Sequence, residues 1–265
     1  MRMWILWIAL PVKSICQTDW DRVVQPASVL IYKSSNSDPF LSLQSCNNLA
    51  FIDSSAIGIS VENNYSIKGL SKLYLSGQFN TQNGGWGLHA NLIGSEVFSE
   101  ESVATSYGIK ISKLFGVGLG VNFRREQLKG FSPLYIMMPQ LGILYFFSKK
   151  MSVGFRIKKI FRPSFKNASW YKEIVSVNTG IGIQLDESIY LSVELSNQLR
   201  YKSNVDVYAE WTPTKMVKTF LMYQQANSEL LGGVQYRVNK MNIGLGISNH
   251  NYLGNSAYLM FYYVL

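Results

Sequence analysis

His89 and His250 are the residues best suited to acid–base chemistry in this 265-residue sequence. A hydrolase or acyl transferase would need a histidine beside a serine or a carboxylate. His89 falls on one face of a predicted strand with Gly87 and Asn91, whereas His250 lies in a predicted turn at 248–255, so we expect no shared site. Neither histidine sits in a known nucleophile motif. The sequence therefore predicts no enzyme, and a hydrolase that rests on His89 alone is the remaining catalytic alternative.

Glycine-rich and metal-type patterns give no cofactor prediction either. The run Gly116-Val117-Gly118-Leu119-Gly120 resembles a phosphate-binding loop only superficially, because its spacing is wrong and no helix follows it. No group of His, Asp or Glu has metal-ligand spacing. Removal of the first 16 residues would leave Cys46 as the one cysteine, so neither an intramolecular disulfide nor a cysteine-based zinc site is expected.

The composition favours a protein that meets lipid. Hydrophobic residues make up 47% of the chain and aromatic residues 14%, while only 15% are charged. The net charge is +9, but the basic residues are scattered and do not cluster among stacking rings, so nucleic-acid binding is not predicted. The charge instead indicates attraction to anionic groups of a cell envelope or to an acidic partner.

Residues 1–16 have the layout of a secretory signal peptide. Arg2 precedes an apolar run from Met3 to Val12, and Ser14-Ile15-Cys16 offers small residues at the positions that a signal peptidase reads. The apolar run is shorter than the ~20 residues that a transmembrane helix needs. We expect cleavage before Gln17. Lipidation of Cys16 is the alternative, although the bulky Ile15 fits a lipobox poorly.

From about residue 55 onward the chain repeats segments of eight to twelve residues in which apolar side chains alternate with small or polar ones. Val117, Leu119, Val121 and Phe123, for example, alternate with Gly116, Gly118, Gly120 and Asn122. Short polar turns separate about fourteen such segments. An even number of strands is what a closed antiparallel outer-membrane barrel requires. The predicted strands are 55–63, 70–80, 84–93, 101–111, 114–125, 133–147, 150–159, 173–184, 188–199, 204–212, 216–224, 228–238, 240–249 and 254–265.

The alternation also predicts which face meets lipid. One face is almost wholly aliphatic or aromatic, and the other carries ionised groups that would each cost several kcal/mol in hydrocarbon. The charged face should therefore line the lumen, where opposite charges can pair and where glycines would let a plug approach closely. The predicted lumen-facing charges, structural or in contact with a partner, are Glu62, Lys110, Arg124, Arg156, Glu194, Asp206, Glu210 and Arg237.

A soluble β-sandwich or lipocalin-like barrel also alternates, but it turns its apolar face inward. The last segment favours the membrane, because Leu259, Phe261, Tyr263 and Leu265 alternate up to the final residue and a barrel must close through its last strand. Gly130 to Ser148 is uncharged and long enough for a membrane helix. Pro133, Pro139, Gln140 and Gly142 interrupt it, so we predict a strand there.

Two long polar segments, 161–172 and 126–132, are predicted loops at the rim opposite the short hairpins. Aromatic residues near the predicted strand ends would form a girdle at the membrane interface. These residues are Tyr65, Trp86, Trp170, Tyr171, Tyr201, Trp211 and Tyr223.

Residues 17–54 break the alternating pattern with several Asp, Pro and Ser residues. We predict a non-barrel segment there, either a plug in the barrel mouth or a periplasmic segment. The domain organisation is thus a signal peptide at 1–16, this segment at 17–54, and an all-β transmembrane barrel at 55–265 in the bacterial outer membrane.

The chain from residue 45 resembles the PorV-like outer-membrane barrels, which are associated with type IX secretion and are distantly related to the long-chain fatty-acid channels. The resemblance begins at Ser45-Cys46-Asn47-Asn48-Leu49-Ala50 and 56–65, and continues through Gly84-Gly85-Trp86-Gly87-Leu88 and 141–145. Relatives typically carry Asn-Pro-Ala-Gly-Leu before the first strand. This chain lacks the Pro-Ala-Gly and the preceding glycines, so the resemblance does not extend to an inward-folded N-terminal segment.

The resemblance implies a non-enzymatic accessory or docking subunit of a secretion or envelope-assembly machine. Its partners would be outer-membrane lipid and other envelope or secretion proteins. The relationship to fatty-acid channels implies the alternative, a diffusion channel for small hydrophobic compounds, which would need an apolar pocket inside the barrel or a lateral gap between strands.

Overall fold

The computed structural model describes residues 37–66, 70–95, 97–161, 174–198, 203–226 and 228–265. The predicted signal peptide and Cys16 lie outside the described residues. Two short helices precede the barrel: α1 (Leu41–Gln44) and a 3-10 helix (Cys46–Phe51). The strands are β1 (Ala56–Asn63), β2 (Ser71–Thr81), β3 (Gly84–Gly94), β4 (Phe98–Lys110), β5 (Phe115–Leu128), β6 (Leu134–Phe146), β7 (Met151–Ile160), β8 (Ile174–Gln184), β9 (Ile189–Gln198), β10 (Asn204–Thr214), β11 (Val217–Gln224), β12 (Glu229–Val238), β13 (Met241–His250) and β14 (Gly254–Val264).

These fourteen strands form one closed antiparallel barrel, as predicted. Each strand pairs with its neighbours in sequence, and β1 pairs with β14 from Ala56 opposite Val264 to Asn63 opposite Ala257. The backbone N–H of Leu265 donates to the Ser55 carbonyl oxygen at 2.9 Å. Closure through the last strand leaves no unpaired sheet edge, which hydrocarbon would not tolerate.

Apolar side chains cover the outer face of the barrel. Leu119 is 61% exposed, and Val193 and Tyr236 are also exposed, whereas Phe155 is half-buried. The residues that alternate with them are mostly buried. So wide a surface of exposed apolar side chains is stable only against lipid. The chain is therefore a transmembrane β-barrel of the bacterial outer membrane.

The two ends of the barrel differ in the length of their connections. Connections at one end span two to four residues, for example 82–83, 111–114, 147–150, 185–188, 215–216 and 239–240. Connections at the other end reach seven residues between β1 and β2 and thirteen between β7 and β8. Short turns face the periplasm in outer-membrane barrels. We call the two ends the short-turn end and the long-loop end.

Outward-facing aromatic residues gather near the short-turn end. Trp86 contacts Tyr107 with ring centroids 4.5 Å apart, and other strands expose aromatic residues at the same end: Tyr145, Trp211, Tyr236 and Tyr263. Such a girdle marks the membrane interface. Of the residues predicted for it, Trp86 and Trp211 lie here, Tyr223 is exposed near the long-loop end, and Tyr65 is half-buried in a loop. Trp170, Tyr171 and Tyr201 fall outside the described residues.

Several predicted boundaries are wrong, and β4, for example, begins at Phe98 rather than at residue 101. The predicted loop at 126–132 begins too early, because β5 continues to Leu128. Glu100 and Glu101 on β4 lie opposite Glu126 and Arg125 on β5, so a charged stretch that resembles a loop is held in the ladder. His250 was predicted in a turn, but it is the last residue of β13, paired with Gly254.

The uncharged stretch at 130–148 is a strand, as predicted, and Pro139 shapes its pairing. Pro139 lies opposite Val121 on β5. On the other side of β6, the pairing with β7 runs from Phe146 back to Gln140, is interrupted at Pro139, and continues at the isolated bridge between Met137 and Phe161. Proline has no N–H to donate, so a ladder interruption at this point is the expected cost. Among the described residues, no helix is long and apolar enough to cross a membrane.

Candidate functional site

Residues 37–52 lie inside the barrel, and we call them the plug. Phe40, Leu41, Cys46 and Leu49 of the plug are buried, and the 3-10 helix contacts the inner faces of β3 to β6. Phe51 packs edge-on against the inward Phe146, with ring centroids 4.8 Å apart. Residues 37–52 of the N-terminal segment therefore fold inward, even though the segment lacks the motif that the PorV-like barrels typically carry.

Inward-facing glycines on β4, β5 and β6 form the seat of the plug. A β-carbon on Gly142 would lie 2.6 Å from the Asn47 side-chain oxygen, and one on Gly116 would lie 2.5 Å from the Phe51 ring. A β-carbon on Gly118 would collide with the backbone of Cys46, which cannot move aside as a flexible side chain can. The glycine face predicted from the alternation is therefore what lets the plug backbone approach the wall.

His89 ties the plug to the wall. Its Nδ1 lies 2.8 Å from Ser76 Oγ on β2, and its Nε2 lies 3.2 Å from Ser42 Oγ in the plug. Both hydroxyls also donate to the Pro39 carbonyl oxygen, at 2.6 Å from Ser76 and 2.8 Å from Ser42. We call His89, Ser42, Ser76 and Pro39 the tether.

The tether contains a serine–histidine pair, but its geometry does not favour catalysis. A serine hydrolase orients its histidine with a carboxylate, whereas the second nitrogen of His89 contacts the hydroxyl of Ser76. Ser42 and His89 are both buried where the plug meets the wall. Among the described residues, no group of His, Cys, Asp and Glu has the geometry of a metal site.

The eight charged residues predicted for the lumen all lie on the inward face of their strands, but at different depths. Glu62, Arg124, Glu194, Asp206 and Glu210 are buried, and Arg156 is half-buried. Lys110 and Arg237 are exposed at the short-turn rim. There the Lys110 ammonium lies 5.5 Å from the centre of the Phe51 ring, so it borders the plug.

Within that set, Arg156 and Glu194 form an ion pair at 3.5 Å, and the strand register places Asp206 directly opposite Glu194. Glu62 pairs with Lys72 at 3.5 Å, and Arg124 pairs with Glu100 at 3.5 Å. Lys72 and Glu100 were missed in the sequence. Both lie on the inward face of their strands, and the strand registers place Lys72 directly opposite Glu62. The alternation of side chains could have placed both residues on the inner face, but it could not have identified Glu62 and Arg124 as their partners.

A second group of polar contacts lies on the opposite wall. Asn178 donates to Glu194 Oε1 at 2.6 Å, and the Tyr208 hydroxyl donates to Glu210 Oε2 at 2.9 Å. Lys218 lies 3.8 Å from Glu210. Buried charges are tolerated when they are paired and hydrogen-bonded, and Glu194 and Glu210 meet that condition.

A row of aromatic rings crosses the same wall. Neighbouring ring centroids are 6.3 Å apart from Tyr190 to Tyr208, 6.3 Å from Tyr208 to Phe220, and 6.5 Å from Phe220 to Tyr258. Leu41 of the plug packs on this row. The plug thus contacts glycines on one wall and aromatic rings on the other.

Burial changes the acidity of two plug residues. Removal from water raises the pKa of the Asp38 carboxyl, and the nearby Lys218 and the Phe40 N–H, at 3.0 Å, partly oppose that rise. Burial also raises the pKa of the Cys46 thiol to about 12. Both groups therefore favour their neutral forms inside the barrel.

An apolar groove of about 710 Å³ lies on the outer wall in front of the tether. Its outward lining comes mainly from β1 to β4 and β14, where the small residues Gly77 and Ala90 leave room. Ser76 and His89 line its inner side. The remaining lining residues are aliphatic or aromatic: Ile57, Gly58, Ile59, Leu75, Phe79, Leu88, Val103, Ala104, Met241, Phe261, Tyr262 and Tyr263.

No known family model matches the chain, and no curated protein matches it. Its backbone is similar to that of solved outer-membrane proteins. The toluene transporter TodX of Pseudomonas putida matches with a TM-score of 0.60 and 10% identity, over 92% of this chain and 96% of that chain. The toluene transporter TbuX of Ralstonia pickettii matches with a TM-score of 0.61 and 10% identity, over 88% and 95%.

A FadL homologue of Pseudomonas aeruginosa matches with a TM-score of 0.58 and 11% identity, over 92% of this chain and 97% of that chain. Identities this low show a common fold. The chain thus has the closed-barrel fold of these outer-membrane proteins.

Proposed function

We propose that the chain is a non-enzymatic diffusion channel that admits small hydrophobic compounds through the outer membrane. The observation that carries this proposal is the apolar groove in front of the tether, which places a hydrophobic site and the attachment of the plug on the same part of the wall. The fold similarity to transporters of toluene supports the same function.

The lining of the groove suits an uncharged, apolar compound. Leu75, Leu88 and Phe261 present hydrocarbon surface, and burying such surface is worth about 25 cal/mol per Å². A volume of about 710 Å³ is in the range of sites that hold small molecules. The wall itself is continuously hydrogen-bonded here, since β1, β2, β3 and β4 pair along their lengths. The sequence predicted that such a channel would need an apolar pocket inside the barrel or a lateral gap between strands, whereas the groove offers an apolar site on the outer wall instead.

The tether connects the groove with the lumen. Ser76 and His89 each contact the plug on one side and line the groove on the other. A compound that displaces the plug would therefore break contacts of Ser76 and His89, the same two residues that border the groove. In this scheme the plug closes the resting channel, and loss of the tether contacts opens it.

The accessory-subunit function, which the PorV-like resemblance implied, has less support. The matched proteins reported above are named as toluene transporters or as a FadL homologue. Association with type IX secretion and with envelope proteins stays a prediction. Co-purification from a mild-detergent extract tests it, and a chain recovered only as a free monomer would count against it.

Uptake by intact cells tests the channel, because small apolar compounds cross plain phospholipid bilayers unaided. The chain is produced in a Gram-negative host that lacks its own hydrophobic channels, and initial uptake of radiolabelled toluene at low concentration is measured. We expect faster uptake than in the same host without the chain. Equal rates at equal amounts of folded barrel would refute the proposal.

A matched pair of substitutions tests the groove. Ala90 and Ala209 are both half-buried, outward-facing alanines in mid-strand, but only Ala90 lines the groove. Ala90→Trp should fill the groove and reduce uptake at least several-fold, whereas Ala209→Trp on the opposite wall should leave uptake unchanged. Equal uptake by the two variants would mean that the groove is not on the route.

A further inference from the structure

Lysines mark the turns at the short-turn end of the barrel. Five of them lie at turn tips and are exposed, and we call these five the turn collar: Lys113, Lys149, Lys150, Lys215 and Lys240. They occupy the β4–β5, β6–β7, β10–β11 and β12–β13 turns. Among the described turns at this end, carboxylates occur only on the β8–β9 turn, as Asp186 and Glu187.

The collar is spread around the circumference rather than gathered on one side. In the order of the closed sheet, two lysine-bearing turns are followed by the acidic β8–β9 turn and then by two more lysine-bearing turns. A docked globular protein would meet one side of such a ring. Lipid headgroups surround a barrel on every side, so a ring of charge fits them better.

Exposed apolar residues stand beside the collar lysines in the same turns. Ile111 and Leu114 flank Lys113, Phe147 precedes Lys149, and Met216 follows Lys215. A lysine at a membrane interface lays its aliphatic stem along hydrocarbon and extends its ammonium to the headgroup level. Neighbouring apolar side chains fix that depth, because they stay in the hydrocarbon while the ammonium does not.

One collar lysine shows this placement directly. The Lys240 ammonium lies 6.0 Å from the centre of the Tyr263 ring, and Tyr263 belongs to the outward aromatic girdle. Lys240 therefore lies along the outer wall, at the level of the interface. Lys110 and Arg237 differ, because they occupy the inward face at the same end and border the barrel mouth.

We propose that the turn collar binds the phosphate groups of anionic phospholipids in the periplasmic leaflet and so enriches these lipids around the barrel. The interaction is between exposed point charges and phosphates, so it should weaken with ionic strength. It is independent of the channel proposal, since none of its residues lines the groove or touches the tether.

Spin-labelled lipids test the proposal with the full chain reconstituted in phosphatidylcholine bilayers. The fraction of motionally restricted label is compared for spin-labelled phosphatidylglycerol and spin-labelled phosphatidylcholine at 20 mM and 500 mM NaCl (about a fivefold change in Debye length). We expect at least a twofold preference for phosphatidylglycerol at low salt that largely disappears at high salt. Equal restriction of the two labels at low salt would overturn the proposal.

Two matched double variants locate the binding residues. Lys149→Gln with Lys150→Gln removes two collar charges, and Lys110→Gln with Arg237→Gln removes two mouth charges at the same end. The first should reduce the preference by about half, the second should leave it unchanged, and replacing all five collar lysines with Gln should abolish it. A preference that survives the five-lysine variant refutes the assignment, as does one lost only in the mouth variant.

Two further measurements are needed: one distinguishes lipid phosphate from free phosphate, and the other checks that each variant is folded. Addition of 10 mM inorganic phosphate at constant ionic strength should not displace the labelled lipid, and displacement would indicate a general anion site instead. Heat-modifiable migration on gels checks that each variant is a folded barrel. Because the substituted lysines are in exposed turns, we expect unchanged migration.

Discussion

The backbone of Cys46 occupies the space into which a β-carbon on Gly118 would project. Gly118 lies on the inward face of β5, and Cys46 begins the 3-10 helix of the plug. The fit between plug and wall therefore depends on the absence of a side chain at one position of one strand. A β-carbon on Gly108 would likewise meet the backbone of Ala50, whereas one on Gly116 or Gly142 would meet the side chain of Phe51 or Asn47.

Gly118→Val should displace the plug without opening the barrel. The added side chain meets backbone that cannot yield locally, and overpacking of this kind typically costs 1–3 kcal/mol. Thiol labelling of Cys46 in a Cys16→Ser background measures the displacement, and we expect labelling at least tenfold faster than in the parent. Gly94→Val is the control, because a β-carbon there meets nothing within 4 Å. Equal labelling in both variants would contradict the proposed seat.

The Cys46 thiol should resist alkylation in the folded protein at pH 8 and react once the chain is unfolded. Burial raises its pKa from 9.0 to about 12, so the reactive thiolate is scarce in the native state. The contribution of this raised pKa to the free energy of unfolding is complete below pH 9, and it is lost as the pH rises through about 12. Mass spectrometry after maleimide treatment at pH 8 checks the first statement, and a melting series from pH 8 to 11 checks the second. Rapid native labelling would place Cys46 outside the barrel interior.

Leu119→Arg should impair assembly far more than Ile111→Arg. Both positions are 61% exposed, but Leu119 lies inside the ladder of β5 on its lipid-facing side, while Ile111 lies in a short turn. A charge at mid-depth costs about 2–4 kcal/mol and one near the interface costs about 0–1 kcal/mol. Urea titration of the folded barrel in lipid vesicles measures both. Similar losses in the two variants would indicate that Leu119 does not face hydrocarbon.

Lys72→Met should destabilise the barrel, and adding Glu62→Gln should restore much of the loss. Both side chains of this 3.5 Å ion pair are buried on the inner wall. Removal of one partner leaves an uncompensated buried charge and costs about 3–5 kcal/mol, whereas removal of both charges is often nearly neutral. A double-mutant cycle from the same urea titrations gives the coupling. Additive losses would mean that the pair is not coupled.

The local alternation of side chains determined the barrel. Val117 to Phe123 alternate with glycines and Asn122, and a strand places successive side chains on opposite faces, so local sequence predicts both the strand and its two faces. The bilayer then selects the outward face, because only apolar side chains are stable in hydrocarbon. Errors arose where charges opposed one another across strands, as Glu101 and Arg125 do at 3.2 Å, because one strand alone cannot show its partner.

The tertiary structure alone decided where residues 37–52 lie and what they touch. Asn47 donates to the Ile143 carbonyl oxygen at 3.3 Å across 96 residues, and Ser42 contacts His89 across 47. Such contacts depend on barrel closure and strand register, which bring distant inward faces around a common lumen. Glycine periodicity predicted that something could approach the wall. Only the closed barrel shows that the plug fills this space and that His89 holds it there.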